Sequence, residues 1–512
     1  MSDLAQRSVL ILGLGESGLA MARWCLREGA RVRVADTRDA PPNRDAAAAL
    51  NVELMLGAFD PSLLEGMDLV AISPGLSPIA EPQSTLLATA KSAGIPVIGE
   101  IELFARKLAA LKVERGYDPR VIAITGTNGK TTVTKLVGEM CRSANRSVVV
   151  AGNVSPAALD ALSDVLDDAL PEVWVLELSS FQLATTTTLA PTAATVLNVT
   201  QDHLDWHGTM DAYAKAKASI FAATTVRVIN RDDPRVLAMD DEAAPSVRFG
   251  LDAPLVPGDL GLVRDTFDEE GLRWLALAEG ADPAAEALGV VPGKAIGKRR
   301  AGRSAAVIPA GDVRSKRLMP VDALQLRGDH NVANVLAALA LGRAIGLSMA
   351  AMLRAAGAYR GEPHRVAFVL ERAGVDWIED SKGTNVGATV AALRGLGRKV
   401  VLIAGGLGKG QDFSPLAAPV AQHARAVLLI GRDKALLRAA LASTGVAMFD
   451  CETLDQAVDE AAMLAEPGDA VLLSPACASL DMFCDYEHRA DVFVAAVHRI
   501  HRGIATIAGA TC

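Results

Sequence analysis

The stretch RVIAITGTNGKTT, residues 120–132, decides how the rest of the chain is read. RVIAITG (120–126) is the short continuous apolar run of a strand buried on both faces, and the residues after Thr132 have the spacing of an amphipathic helix. Between them stand Gly126, Thr127, Asn128, Gly129, Lys130, Thr131 and Thr132. Glycines let backbone N–H groups turn inward around phosphate oxygens, and the helix start adds partial positive charge. Lys130 supplies a point charge for β- and γ-phosphates, and the Thr131 hydroxyl can reach Mg²⁺. The strict phosphate-loop pattern asks for glycine where this chain has Ile124, so a generic pattern scan passes over it. A turn with no ligand is the rival reading, and Gly-Lys-Thr-Thr at a strand-to-helix junction weighs against it.

Outward from this loop the same grammar repeats. Strand-like runs occur at 8–13, 31–36, 68–75, 147–152, 173–180, 193–199 and 226–230, then at 377–381, 399–406, 426–431 and 469–476. Ala/Leu-rich segments of helical spacing separate them, which predicts an α/β fold around parallel sheets. A length of 512 residues suits about three cores. Polar, Pro/Gly-punctuated breaks at Lys107–Arg120 and Tyr359–Arg365 divide the chain into expected domains 1–106, 107–362 and 363–512. Residues 250–320 read as an irregular insertion within the second, and PGKAIGKRRAGRSAAVIPAGDVRSKRLMP (292–320) reads as a solvated basic surface.

A phosphate loop needs a second carboxylate for its cation. Glu177 ends the run VWVLE, where open α/β sheets place ligand residues, and a buried Glu without a cation would be costly. Asp202 and His203 follow the next strand; a lone histidine is more often structural, but this one stands at a strand's C-terminal edge beside a phosphate loop. Lys215 and Lys217 lie on the helix after it. Near the N-terminus, Gly13, Gly15 and Gly18 follow a strand and Asp36 ends the next, the dinucleotide fingerprint. Alone it is a weak signal, since such a loop can hold the diphosphate of any nucleotide. Late in the chain Asp380–Asn385, Gly405–Lys409 and Ser474–Ser479 each sit at a strand end, which argues for a second anionic ligand.

Taken together, GTNGKTT, ELSSFQL, NVTQDHLD, RGDHNVAN, PHRVAF, DSKGTN, GGLGKGQDF and SPACASLDMF resemble the Mur ligases, in order, over nearly the whole chain. The resemblance implies three α/β domains: a Rossmann-like UDP binder, a central P-loop-type ATPase and a Rossmann-like C-terminal domain that carries the incoming amino acid. It implies ATP-dependent ligation of D-glutamate to UDP-N-acetylmuramoyl-L-alanine through an acyl phosphate, with two Mg²⁺ ions. Carried over by motif, Ser17, Thr37, Arg38, Ser73 and Gly75 hold the uridine diphosphate and Asn153 lies beside the muramoyl-alanine. Asn334, Arg365 and Asp380 contact ATP. Lys382, Thr384, Lys409, Ser479 and Tyr486 bind D-glutamate. Lys130, Glu177, His203 and Lys217 are the catalytic set, and Thr131, Glu177, His203 and a carbamylated Lys217 hold metal. Gly383 stands where alanine is common, and Tyr486 where phenylalanine often sits.

A dehydrogenase would explain residues 8–36 alone and leave Gly126–Thr132 idle. Sibling Mur ligases and folylpolyglutamate-type synthases are the nearer alternatives; no Asp-Asn-Pro-Arg motif of the diaminopimelate- or lysine-adding type is present, and folylpolyglutamate-type synthases usually lack an N-terminal UDP block. The formal charge of −9 asks for neither nucleic acid nor an acidic membrane surface. Six scattered cysteines form no CxxC pair and no zinc spacing, as in a reduced cytosolic protein. With neither a leader nor a ~20-residue apolar run, a cytoplasmic monomer is expected.

Overall fold

The computed structural model describes residues 3–241, 243–265, 271–280, 313–326 and 328–503. Three sheets follow one another along the chain. The first contains β1 (Ser8–Leu12), β2 (Arg31–Asp36), β3 (Glu53–Leu56), β4 (Leu69–Ile72) and β5 (Val97–Ile98) in the order β3-β2-β1-β4-β5, all parallel. Every residue of β1 and β4 is buried, as their unbroken apolar runs require.

The second sheet holds β6 (Arg120–Thr125), β7 (Val148–Gly152), β8 (Val173–Glu177), β9 (Ala193–Val196), β10 (Val226–Asn230), β11 (Ser246–Phe249), β12 (Leu260–Arg264), β13 (Arg273–Gly280) and β14 (Val313–Pro320). Its order is β14-β13-β12-β11-β10-β9-β6-β8-β7. Pairing is parallel from β7 to β12 and antiparallel across β12, β13 and β14. The expectation of an irregular insertion over 250–320 is therefore corrected where the chain is described. Residues 260–264, 273–280 and 313–320 extend the sheet, and Gly280 pairs directly with Val313. Residues 292–312 of the basic run lie outside the described residues. The helix Lys130–Ser143 packs on this sheet through Val133, Leu136, Val137, Met140 and Cys141, all fully buried at helical spacing.

The third sheet contains β15 (Ala367–Arg372), β16 (Val375–Glu379), β17 (Val400–Gly405), β18 (Ala424–Ile430), β19 (Ala447–Asp450) and β20 (Ala470–Leu473), in the order β15-β16-β20-β17-β18-β19. Only β15 is antiparallel to its neighbour.

The chain divides into two compact units. One comprises 1–199, 206–323 and 333–358 and carries the first two sheets; the other comprises 200–205, 324–332 and 359–512 and carries the third. Within the first unit, helix Glu100–Arg115 ties its two sheets together. The buried Glu102 carboxylate on it accepts the Thr187 and Thr188 N–H groups at 2.8 and 2.9 Å. No helix among the described residues is long and apolar enough to cross a membrane.

Candidate active site

β6 ends at Thr125, and the chain then turns through Gly126 at φ +153° and Gly129 at φ +85° before helix Lys130–Ser143 begins. Both glycines are required by contact as well as by φ. A Cβ on Gly126 would lie 2.9 Å from Leu197 Cβ, and one on Gly129 would lie 2.4 Å from the Asn334 side-chain oxygen. Asn334 thus closes against the loop. Lys130 Nζ donates to the carbonyls of Gly126 (2.9 Å) and Thr127 (3.0 Å). Thr127, Thr131 and Thr132 are buried, and the Thr127 hydroxyl meets the Tyr213 hydroxyl at 3.2 Å.

Two further sequence candidates come to this loop. Lys217 is 1% exposed and its Nζ donates to Gly126 O at 2.9 Å while lying 4.4 Å from the Tyr213 ring centroid. Lys215, on the same helix, is exposed. Burial thus separates two lysines that spacing alone left side by side. Glu177 ends β8 and is buried. Its chain turns away at once because Ser179 and Gln182 form a reciprocal capping box that starts a short helix. Asn153 Nδ2 donates to Glu177 Oε1 at 2.8 Å, whereas the buried Glu177 Oε2 accepts no hydrogen bond.

In the first sheet Ser17, Thr37, Arg38, Ser73 and Gly75 all lie just beyond the C-terminal ends of the adjacent strands β1, β2 and β4. Thr37, Arg38 and Gly75 are exposed there. Gly18 is forced, because a Cβ would stand 1.9 Å from Gly13 O. Asp36 is buried and fully engaged: it accepts Leu14 N–H at 2.7 Å, Arg38 N–H at 2.9 Å and the Arg38 guanidinium at 2.7 and 2.8 Å. Burial opposes its charge, but the Arg38 and Leu14 bonds outweigh it and hold the carboxyl at about 2. The acid that would grip a ribose in a dehydrogenase is spent here on its own loop and on Arg38.

The second unit gathers the late motifs. Ala476 N–H donates to Gly383 O (3.0 Å), Gly405 N–H to Pro475 O (2.8 Å), and Leu407 and Ala478 bridge each other at 2.9 Å. The loops carrying Lys382, Thr384, Lys409 and Ser479 are thereby knitted together beyond β16, β20 and β17. Lys382 Nζ lies 5.2 Å from the Tyr486 ring. Asp380 accepts Ser474 Oγ at 2.7 Å and Val366 N–H at 3.2 Å. Its burial raises it to about 7, only partly offset by Ser474 and by the charge of Arg365. His203 belongs to this unit, with a positive φ and Nε2 3.5 Å from Asp202 Oδ2, whereas Glu177 and Lys217 belong to the first. Among the described residues no three His, Cys, Asp or Glu side chains gather as a ready metal site.

Three family models match the chain in sequence order: the N-terminal domain of MurD-like Mur ligases (residues 7–99), the Mur ligase middle domain (124–260) and the Mur ligase glutamate ligase domain (364–477). The UDP-N-acetylmuramoylalanine–D-glutamate ligase of Ralstonia nicotianae is 59% identical over 97% of both chains. The protein of that name from Burkholderia mallei is 58% identical over 97% of this chain and 98% of its own. This chain belongs to the Mur ligase family. The fold of this Mur ligase is also that of the MurF ligase of Thermotoga maritima solved with ADP (TM-score 0.55, 16% identity, 98% of this chain and 100% of that one). The UDP-N-acetylmuramate–alanine ligase MurC of the same organism has TM-score 0.54 at 18% identity, over 97% of this chain and 100% of that one. The three-domain architecture of Mur ligases thus accounts for the three sheets.

Sequence reasoning gave no role to two features of this Mur ligase. Gly383 faces the Asp380 carboxylate so closely that a Cβ would lie 2.5 Å from Oδ2; the departure to glycine leaves room for that carboxylate. Asn198 lies inside the quoted motif NVTQDHLD and touches the phosphate loop, and only the adjacency of β9 to β6, invisible in sequence, could have drawn attention to it.

Proposed function

We propose that this Mur ligase joins D-glutamate to UDP-N-acetylmuramoyl-L-alanine at the expense of ATP, in peptidoglycan precursor synthesis. The observation that carries this reading is near-60% identity, end to end, with enzymes named for that reaction. Chemically, the alanyl carboxylate is a poor electrophile until the γ-phosphoryl group of ATP is transferred to it. The D-glutamate amine then attacks the acyl phosphate and inorganic phosphate leaves.

The residues divide this work. Arg38, set by Asp36, with Ser17, Thr37, Ser73 and Gly75, receives the uridine diphosphate beyond the first sheet, and Asn153 stands by the muramoyl-alanine. Gly126–Thr132 and Asn334 hold the ATP phosphates, with Lys130 offsetting the charge of the transferring group. Arg365 and Asp380 complete the nucleotide site. Lys382, Thr384, Lys409, Ser479 and Tyr486 receive D-glutamate, two lysines suiting its two carboxylates. These assignments follow the proposed domains 1–106, 107–362 and 363–512, in a cytoplasmic monomer that needs neither nucleic acid nor membrane.

Two Mg²⁺ ions belong to the proposal, held by Thr131, Glu177, His203 and carbamylated Lys217. Glu177 supports this: its Oε2 is a buried hard oxygen left without a hydrogen bond, which is costly unless a cation takes it. Bound Mg²⁺ supplies positive charge against the phosphoryl oxygens. Lys217 fits only when modified. Lys130 and Lys217 both place Nζ 2.9 Å from Gly126 O, so two ammonium groups stand within about 6 Å and repel by ~3 kcal/mol at an effective dielectric of about 20. Addition of CO₂ to the neutral Lys217 amine, with loss of a proton, removes that repulsion and creates an oxygen anion. The carbamate retains one N–H, so the bond to Gly126 O survives.

The test is phosphate release from ATP across a panel of amino acids. Release that requires UDP-N-acetylmuramoyl-L-alanine and D-glutamate together is expected; equal release with another amino acid, or with the UDP substrate omitted, overturns the reading.

A further inference from the structure

Asn198 stands two residues past the end of β9, beside the loop that leaves β6. Its side-chain amide is committed to one residue of that loop. Oδ1 accepts Asn128 N–H at 2.8 Å and Nδ2 donates to Asn128 O at 3.1 Å. Its backbone carbonyl takes the preceding N–H, that of Thr127, at 2.9 Å. Three bonds from one residue therefore fix Thr127 and Asn128, between two positive-φ glycines in a segment with no ladder of its own.

Asn198 is itself held from the far side. Asn230, the last residue of β10, donates through Nδ2 to Leu197 O at 2.8 Å, and Asp233 accepts Val199 N–H at 2.7 Å. Asp233 also caps the next short helix by accepting Arg235 and Val236 N–H. The flanks of Asn198 are thus fixed by β10, and Asn198 passes that rigidity to the loop. An amide is the group this task needs. It offers one acceptor and one donor to the N–H and C=O of the same residue without placing charge beside a triphosphate. Aspartate would keep the acceptor, lose the donor and add a negative charge where anions must bind.

We propose that Asn198 is a positioning residue that holds the phosphate loop in its nucleotide-binding shape before ATP arrives. The inference rests on Gly126–Thr132 being the ATP phosphate site. Preorganisation of this kind lowers the ordering cost of binding, so its loss falls on nucleotide affinity.

The experiment measures ADP and UDP-N-acetylmuramoyl-L-alanine binding by calorimetry for the full chain, N198A, N198D and K130A. Losing the two side-chain bonds corresponds to about tenfold weaker ADP binding in N198A, with UDP-substrate affinity held within about twofold. N198D, although isosteric, should bind ADP at least as weakly as N198A; a merely structural asparagine would give the milder effect for the isosteric change. ADP affinity within about twofold of the parent in N198D, which keeps the side-chain shape should N198A not fold, overturns the proposal, as does equal weakening of both ligands. Should K130A bind ADP as the parent does, the ATP-site reading itself is wrong; should K130A weaken while the Asn198 variants do not, only the present inference falls.

Discussion

Gly13–Gly18 and Gly126–Lys130 are built alike and are charged oppositely. Each leaves the C-terminal end of a buried parallel strand, each has a positive-φ glycine, and each enters a helix of at least twelve residues. In the first, a carboxylate reaches the loop: Asp36 takes Leu14 N–H and fixes Arg38 outside. In the second, two lysines reach it, and both converge on Gly126 O. The glycines set a backbone shape that suits any phosphate. The charges brought to that shape, from residues elsewhere in the chain, differ, and under the proposed function they divide a uridine diphosphate site from an ATP site.

The largest expected effect breaks this contrast at the second loop. Lys130→Ala should lower kcat by at least ~100-fold, since its charge acts on the transferring group; near-normal turnover in a folded variant would make the two loops equivalent after all. Next, Lys217→Ala should reduce turnover on the order of tenfold or more, with partial recovery in acetate, while Lys215→Ala stays active. Recovery with acetate separates a missing anion from a missing side chain, and full activity of Lys217→Ala without added acid sinks the carbamate.

The first loop should respond in stability rather than chemistry. Gly18→Ala places a methyl 1.9 Å from Gly13 O and should destabilise the fold by about 1–3 kcal/mol, whereas Gly15→Ala, with nothing within 4 Å, should stay within about 0.5 kcal/mol. Equal melting temperatures for the two would show that the loop relaxes freely. The smallest effect is titratable. Asp36, held at about 2 against an ordinary 3.8, contributes stability that is present above pH ~4 and lost as pH falls toward 2. Asp36→Asn should therefore melt below the parent at pH 7, with the gap narrowing below pH ~4 and closing only toward pH 2. A gap independent of pH would mean that the ion pair with Arg38 does not carry the loop.

The parallel strands were legible because burial on both faces leaves unbroken apolar runs, as in SVLIL and VVLIAG. Strands β12, β13 and β14, between Phe249 and Val321, were not. VRSKRLMP in β14 carries three cations and no buried residue, and nothing in its periodicity separates it from a solvated loop; only its pairing with β13 makes it a strand. Lys130 and Glu177 were legible from position after a strand. Spacing alone left Lys217 beside Lys215, the resemblance chose Lys217 and its burial sets it apart, while Asn198 needed the β6–β9 pairing. Asp36 shows in sequence only as the acid of a dinucleotide fingerprint; that its oxygens are occupied is invisible there, since a hydrogen bond reaching back 22 residues to Leu14 leaves no local pattern.

Among the described residues the nine-strand sheet ends at β14, and that last strand has a bearing on crowding in the cell. A sheet margin exposes unpaired N–H and C=O groups that invite a strand from another molecule. Arg314, Lys316 and Arg317 all stand exposed on this margin, two of them tethered to Glu279 and Asp265. An incoming strand would have to bury those cations against its own backbone. The extension that enlarges the central sheet thus also terminates it, as a selvedge keeps woven cloth from fraying into its neighbour.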